Sequence, residues 1–168
     1  MKWVTEKLIT KWDIRMLDMA FRVARWSKDP KKKVGSILAS PDFRMLSWGY
    51  NGLPKEVKDD PIILNDVAEK NKRIIHAEIN AINNCPRIPR GWTMYNTKPP
   101  CFDCALSIAR NQVSKVFIPD IDVGSKWENT QRAGIKHLND GGIEVLYFEG
   151  LLHLAHLAAL KGEPWPWS

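Results

Sequence analysis

Four residues carry types and spacing that could do chemistry: His76, Glu78, Cys101 and Cys104. They sit in Arg73-Ile74-Ile75-His76-Ala77-Glu78-Ile79-Asn80 and, about two dozen residues on, in Pro99-Pro100-Cys101-Phe102-Asp103-Cys104. Zinc favours thiolate and imidazole ligands, most often four in a tetrahedron. Cysteines three apart on the first turn of a helix place both sulfurs on one side. Pro100 suits a helix start. The positive end of that helix favours thiolate over thiol. His76 would be the third ligand. Three protein ligands leave a fourth position for water, as in a catalytic rather than a structural site. Zinc lowers the pKa of such a water from ~15.7 toward roughly 7. Glu78 lies near enough to His76 to move that water's proton without binding the metal.

Two other uses of the cysteines compete. A redox pair also tends to follow a strand, as this pair does. Half of a structural zinc site would want a fourth Cys or His. Cys85, His137, His153 and His156 show no ligand spacing with the pair. An ordered His-x-Glu then Pro-Cys-x-x-Cys is much more specific than either half, and it is the signature of zinc-dependent nucleobase deaminases.

The elements that must position these groups follow from periodicity. Ile14, Leu17, Phe21 and Ala24 recur at helical spacing, so Lys11 to Trp26 reads as a helix. Val34 to Ala39 and Phe43 to Tyr50 flank Ser40-Pro41-Asp42 and read as a hairpin. Asn51 opens a long polar loop to about Ile75, with room for one helical turn. Helices follow at His76–Asn84, Cys101–Asn111, Thr130–Asn139 and Gly150–Lys161. Strands follow at Gly91–Thr97, Lys115–Pro119 and Ile143–Phe148. A hairpin and then strand–helix alternation predicts an α/β fold, a mixed five-stranded sheet with helices on both faces. The later strands should run mostly parallel, or the last pair reverses.

The chain has 168 residues, 44% hydrophobic and 26% charged, with a net charge of +6. That suits a single domain, residues 1–168, with a core over about 12–148 and a C-terminal helix and tail over 150–168. No apolar run approaches the ~20 residues of a membrane span. The N-terminus lacks an apolar signal region, and three cysteines argue against a disulfide framework, so a cytoplasmic setting is expected. The positive charge fits nucleic acid or a small anionic substrate equally. The eight tryptophans should mostly be core or interface anchors.

Four stretches together carry a family resemblance: Ser27-Lys28-Asp29-Pro30 leading to Val34-Gly35; Gly49-Tyr50-Asn51-Gly52-Leu53-Pro54; His76-Ala77-Glu78-Ile79-Asn80-Ala81-Ile82; and Pro100-Cys101-Phe102-Asp103-Cys104-Ala105. From Trp12 to Phe148 the chain resembles the deoxycytidylate (dCMP) deaminases of the cytidine deaminase superfamily. The resemblance implies a three-layer α/β/α sandwich. It implies hydrolysis of dCMP to dUMP and ammonia in pyrimidine deoxynucleotide metabolism, with zinc-activated water attacking C4. By resemblance, one catalytic Zn2+ per subunit would be held by His76, Cys101 and Cys104, and Glu78 would be the catalytic acid–base. The Ala77 N–H would meet the base carbonyl and Asn51 the sugar hydroxyl. Ser27, Lys28 and Lys31 lie where the family grips the 5′-phosphate.

Similar enzymes are homo-oligomers, hexamers or dimers, many responding to dCTP and dTTP. Mg2+ could accompany such an effector. The loop from Asn51 to Ile75 and the Trp-Pro-Trp tail are the natural contacts for an effector or a second subunit. One departure stands out. Some relatives carry a tyrosine near the base after the fourth strand, but Ile118 to Gly124 holds no aromatic here. Trp127 would serve instead, or be a plain core residue, or the pocket would be roomier. A 5-substituted dCMP is therefore an alternative substrate. A base in tRNA or single-stranded DNA is another, and a zinc-stabilised binding module the non-enzymatic one. The expected partner is a nucleotide, not nucleic acid or a membrane.

Overall fold

The structure, a computed structural model, describes residues 1–165. The elements in chain order are β1 (Lys2–Trp3), α1 (Lys11–Ala24), β2 (Gly35–Ala39), β3 (Leu46–Tyr50), α2 (Pro61–Asn65), α3 (Val67–Arg73), α4 (Ala77–Asn83), β4 (Thr93–Asn96), α5 (Phe102–Arg110), β5 (Lys115–Pro119), α6 (Glu128–Asp140), β6 (Glu144–Phe148) and α7 (Gly150–Leu160). The strands form one sheet in the order β1-β6-β5-β4-β2-β3. β2 runs antiparallel to both β3 and β4, while β4, β5, β6 and β1 are mutually parallel.

Both faces of the sheet are covered, as a largely parallel sheet requires. Alternation along each strand divides the core. Ile37, Ala39, Tyr95, Phe117, Leu146 and Phe148 meet α1 and α7. Leu38, Met94, Val116, Ile118, Val145 and Tyr147 meet the layer of α4, α5 and α6. The result is the expected three-layer mixed α/β sandwich.

The sheet has six strands rather than five. The additional strand is β1, which pairs Lys2 with Leu146 and Trp3 with Tyr147. Two residues are too few to show a period, so the strand is specified by its contacts. Lys2 pairs with Glu144, and the Trp3 and Tyr147 rings lie 5.6 Å apart. The long loop holds two short helices where one turn was expected. Asp60 caps α2 and Asp66 caps α3 through their carboxylates.

The tryptophans divide between core and surface. Trp92 and Trp165 are buried, but Trp12, Trp26 and Trp48 are exposed. Of the Trp-Pro-Trp tail, residues 166–168 lie outside the described residues.

Two glycines fix the distance between layers. A Cβ on Gly35 would lie 2.1 Å from the Ala20 carbonyl oxygen, and one on Gly49 would lie 2.2 Å from that of Ala77. Neither space admits a side chain, so α1 seats directly on β2 and α4 directly on β3.

Candidate metal centre and its cavity

The close approach at Gly49 places the first half of the site. Polar bonds then fasten α4 along β3. Asn80 Nδ2 donates to the Tyr50 carbonyl at 2.8 Å, Asn84 Nδ2 to that of Trp48 at 3.0 Å, and Ser47 Oγ to that of Ala81 at 2.7 Å. A two-way backbone bridge between Gly52 and Ile75 aims the chain into the helix. His76 is the N-cap residue of α4 but makes no side-chain cap, which leaves its ring available. Glu78, in the first turn, is 4% exposed.

The second half comes from α5, for which Cys101 is the N-cap residue. Its first N–H, on Phe102, donates to Thr130 Oγ1 of α6 at 3.0 Å. Gly134 of α6 lets that helix approach the Pro100 and Cys101 carbonyls closely. His76 Nδ1 then lies 3.4 Å from Cys101 Sγ and 3.3 Å from Cys104 Sγ, and the three candidate ligand atoms all fall within 4.8 Å of one another. Two sulfurs and one imidazole, converging at two helix N-termini, fit zinc.

The electrostatics are those of a buried acid beside a thiol pair. Burial pushes the Glu78 carboxyl up to about 7, against the opposing pull of His76. The hydrogen bond from Cys104 draws the Cys101 thiol down to about 4, with His76 helping. The same bond, with burial, pushes Cys104 up. The Cys101 contact raises His76.

These groups open onto a cavity of about 210 Å³. His76, Ala77, Glu78 and Cys101 line it, as do Lys31 and Asn51. Trp127 lines it too, its ring 6.0 Å from that of His76 in an edge-on arrangement. Ser27 and Lys28 are not among the lining residues. Ser27 is buried and its Oγ donates to the Asn51 carbonyl at 2.7 Å, whereas Lys28 is exposed. The Asn51 amide is largely committed to the loop at 27–34. Its Oδ1 accepts from Val34 N at 2.8 Å, and its Nδ2 donates to the Lys32 carbonyl at 2.8 Å.

Several lining residues went unrecognised from sequence. Asp29, to which the sequence assigned no role in the site, is 3% exposed. Its Oδ1 accepts from Lys31 N, Lys32 N and Lys70 Nζ, the last at 2.9 Å. Burial raises the Asp29 pKa, but the Lys70 ammonium and the two backbone N–H groups outweigh it and hold it below its ordinary value. Lys32, Lys98 and Lys126 also face the cavity, with Asp122 between Lys98 (3.1 Å) and Lys32 (3.9 Å). Gln131 completes one wall. Asp29 beside Pro30 was the available signal for a structured turn. No local pattern marked Lys70, Lys98, Lys126 or Gln131.

An α/β sandwich that presents one histidine and two cysteines beside a buried glutamate belongs to the zinc-binding deaminase class, and comparison with known proteins agrees. The family model for the cytidine and deoxycytidylate deaminase zinc-binding region matches residues 10–119. An uncharacterized deaminase of Aliivibrio fischeri is 34% identical over 143 residues, 83% of this chain and 95% of that one. Human deoxycytidylate deaminase is 32% identical over 113 residues, 64% of each chain. Among solved structures, the dCMP deaminase of cyanophage S-TIM5 in complex with dCMP and dUMP superposes with a TM-score of 0.65 at 26% identity, covering 79% of this chain and 93% of that one. The chain belongs to the cytidine and deoxycytidylate deaminase family. It spans about two thirds of the length of its human, orangutan and mouse relatives.

Proposed function

We propose that this deaminase converts dCMP and water to dUMP and ammonia, in pyrimidine deoxynucleotide metabolism. The observation that carries the reading is the composition of the cavity wall. It includes the metal cluster and Glu78, and also five lysines (31, 32, 70, 98 and 126) against the three carboxylates Asp29, Glu78 and Asp122. The lysines outnumber the carboxylates, and the surplus of positive charge suits the roughly two negative charges of a phosphate monoester at neutral pH. The dCMP and dUMP bound by the cyanophage relative support the same choice.

In this reading His76, Cys101 and Cys104 hold one zinc ion. When bound, zinc would supply the nucleophile by lowering the pKa of a water toward neutrality. Glu78 accepts one proton of the attacking water and delivers it to N3 of the base, then takes the second from the new C4 hydroxyl and passes it to the exocyclic nitrogen, so that the C4–N bond breaks, the C4 carbonyl forms and ammonia leaves. Its burial suits both directions of transfer. The Ala77 N–H, buried at the start of α4, meets the base carbonyl, and Trp127 packs on the base. Lys31 and its neighbours take the phosphate. Asn51 and Ser27 act mainly by holding that loop in place, although a sugar contact from Asn51 uses an edge of the same amide. Lys28, exposed, adds long-range attraction.

The further expectations rest on resemblance: a homo-oligomer, hexamer or dimer, dCTP and dTTP as effectors with Mg2+ beside them, and a cytoplasmic location. No helix among the described residues is long and apolar enough to cross a membrane. The exposed Trp12, Trp26 and Trp48 supply apolar surface for a second copy.

The test is ammonia release by zinc-loaded protein from dCMP, 5-methyl-dCMP, CMP, dCTP, tRNA and a cytosine-containing single strand. Turnover of dCMP above the others supports the proposal. Turnover of a polynucleotide alone would overturn it. A zinc-stabilised binding module would turn over none of them, and its binding would survive Glu78→Ala.

A further inference from the structure

Gln131 presents a feature that the reaction as described does not use. It lies on α6 and is 5% exposed, yet it lines the cavity together with Pro99, Cys101 and Trp127. Its Nε2 faces the Pro99 carbonyl at 3.5 Å, which sets the orientation of the amide. Its Oε1 is sealed from solvent and finds no hydrogen-bond partner among the described residues. Gln131 is held where it is by the close seating of Gly134, one turn on, against the Pro100 and Cys101 carbonyls.

A buried acceptor without a donor is costly, and native proteins seldom leave one without a reason. The cost disappears when a ligand brings an N–H to it and grows when a ligand brings another acceptor. Cytosine and uracil differ at position 4 in just this sense. The amine donates, whereas the carbonyl only accepts. Pro99 and Cys101 place Gln131 at the metal-cluster part of the cavity, where the exocyclic nitrogen must lie if water is to attack C4. We propose that Gln131 is a specificity-determining residue whose Oε1 accepts a hydrogen bond from the exocyclic amine of the substrate and, after hydrolysis, repels O4 of the product. The inference rests on the dCMP reading above.

The experiment compares wild-type protein with Gln131→Met, which keeps the length of the side chain and removes the amide. It measures the KM for dCMP and the inhibition constant of dUMP, with zinc content and thermal melting as controls. The wild type should bind product at least about tenfold more weakly than substrate, the scale of one buried hydrogen bond gained or lost. In the variant that ratio should fall toward one, through weaker dCMP and tighter dUMP binding, with zinc content unchanged. If Gln131→Met does not fold, Gln131→Ala adds no bulk to the helix and gives the same readout. An unchanged ratio in a folded, zinc-bearing variant overturns the proposal. Failure of the wild type to turn over dCMP would overturn the dCMP reading instead, so the two failures are distinguishable.

Discussion

Glu78 and Asp29 are both buried carboxylates at one cavity, and they are held in opposite ways. Glu78 has no cation paired with it in a salt bridge among the described residues, and burial dominates it. A proton carrier needs that freedom. Glu78→Gln should therefore retain zinc and melting temperature while losing at least about a hundredfold in kcat, within the range general acid–base groups supply. Metal analysis beside a turnover assay checks it, and loss of zinc together with activity would contradict the assignment. Asp29 is tied down by Lys70 and two backbone N–H groups. Its folded pKa lies below the ordinary 3.8. The stability it contributes is thus complete above that value and fades as pH falls through the folded pKa. Melting curves of wild type should drop on acidification through this range, and Asp29→Asn should remove that part of the dependence. Lys70→Met, which strands a buried carboxylate, should cost about 3–5 kcal/mol at neutral pH by denaturant titration.

α4 and α5 carry the metal cluster, and what places them is mostly small. Gly49 permits α4 to touch β3, and Gly134 permits α6 to brace the start of α5. A Cβ at Gly49 meets backbone atoms, which cannot rotate away. Gly49→Ala should thus cost about 1–3 kcal/mol or more from overpacking, and it should lower zinc affinity because α4 carries His76. Calorimetry with a zinc titration measures both effects, and an unchanged affinity would mean that α4 is placed by other contacts. These helices were legible in the sequence because each opens on a short ligand motif, His-x-Glu for α4 and Pro-Cys-x-x-Cys for α5. The two short helices at Pro61–Asn65 and Val67–Arg73 were not, since they run to only five and seven residues, each with one buried residue. Lys70 was equally hidden. It lies 41 residues from its partner Asp29, and only the folded chain brings the two together.

The sandwich as a whole followed from a hairpin and then alternating strands and helices, which leaves few arrangements. The parallel course of the last strands was open, and the chain resolves it by passing α6 between β5 and β6 as a crossover helix. β1 was illegible because a two-residue edge strand owes its existence to its neighbour. The metal cluster could be read as a motif because two short segments contain it. The cavity wall could not. Its lysines come from the loop after α1, from α3, from the segment after β4 and from the segment before α6, and none of these segments says alone that the others converge on it. That convergence gives the cavity its surplus charge, so the phosphate should account for much of substrate recognition. Charge-assisted hydrogen bonds are worth about 1.5–3 kcal/mol each. The decisive quantity is kcat/KM for dCMP divided by kcat/KM for deoxycytidine, measured on zinc-loaded protein by ammonia release. A ratio of at least about a hundred, falling when Lys31 and Lys126 are replaced by Met, is the expected result. Equal rates on nucleotide and nucleoside would contradict it and leave the lysines without a ligand.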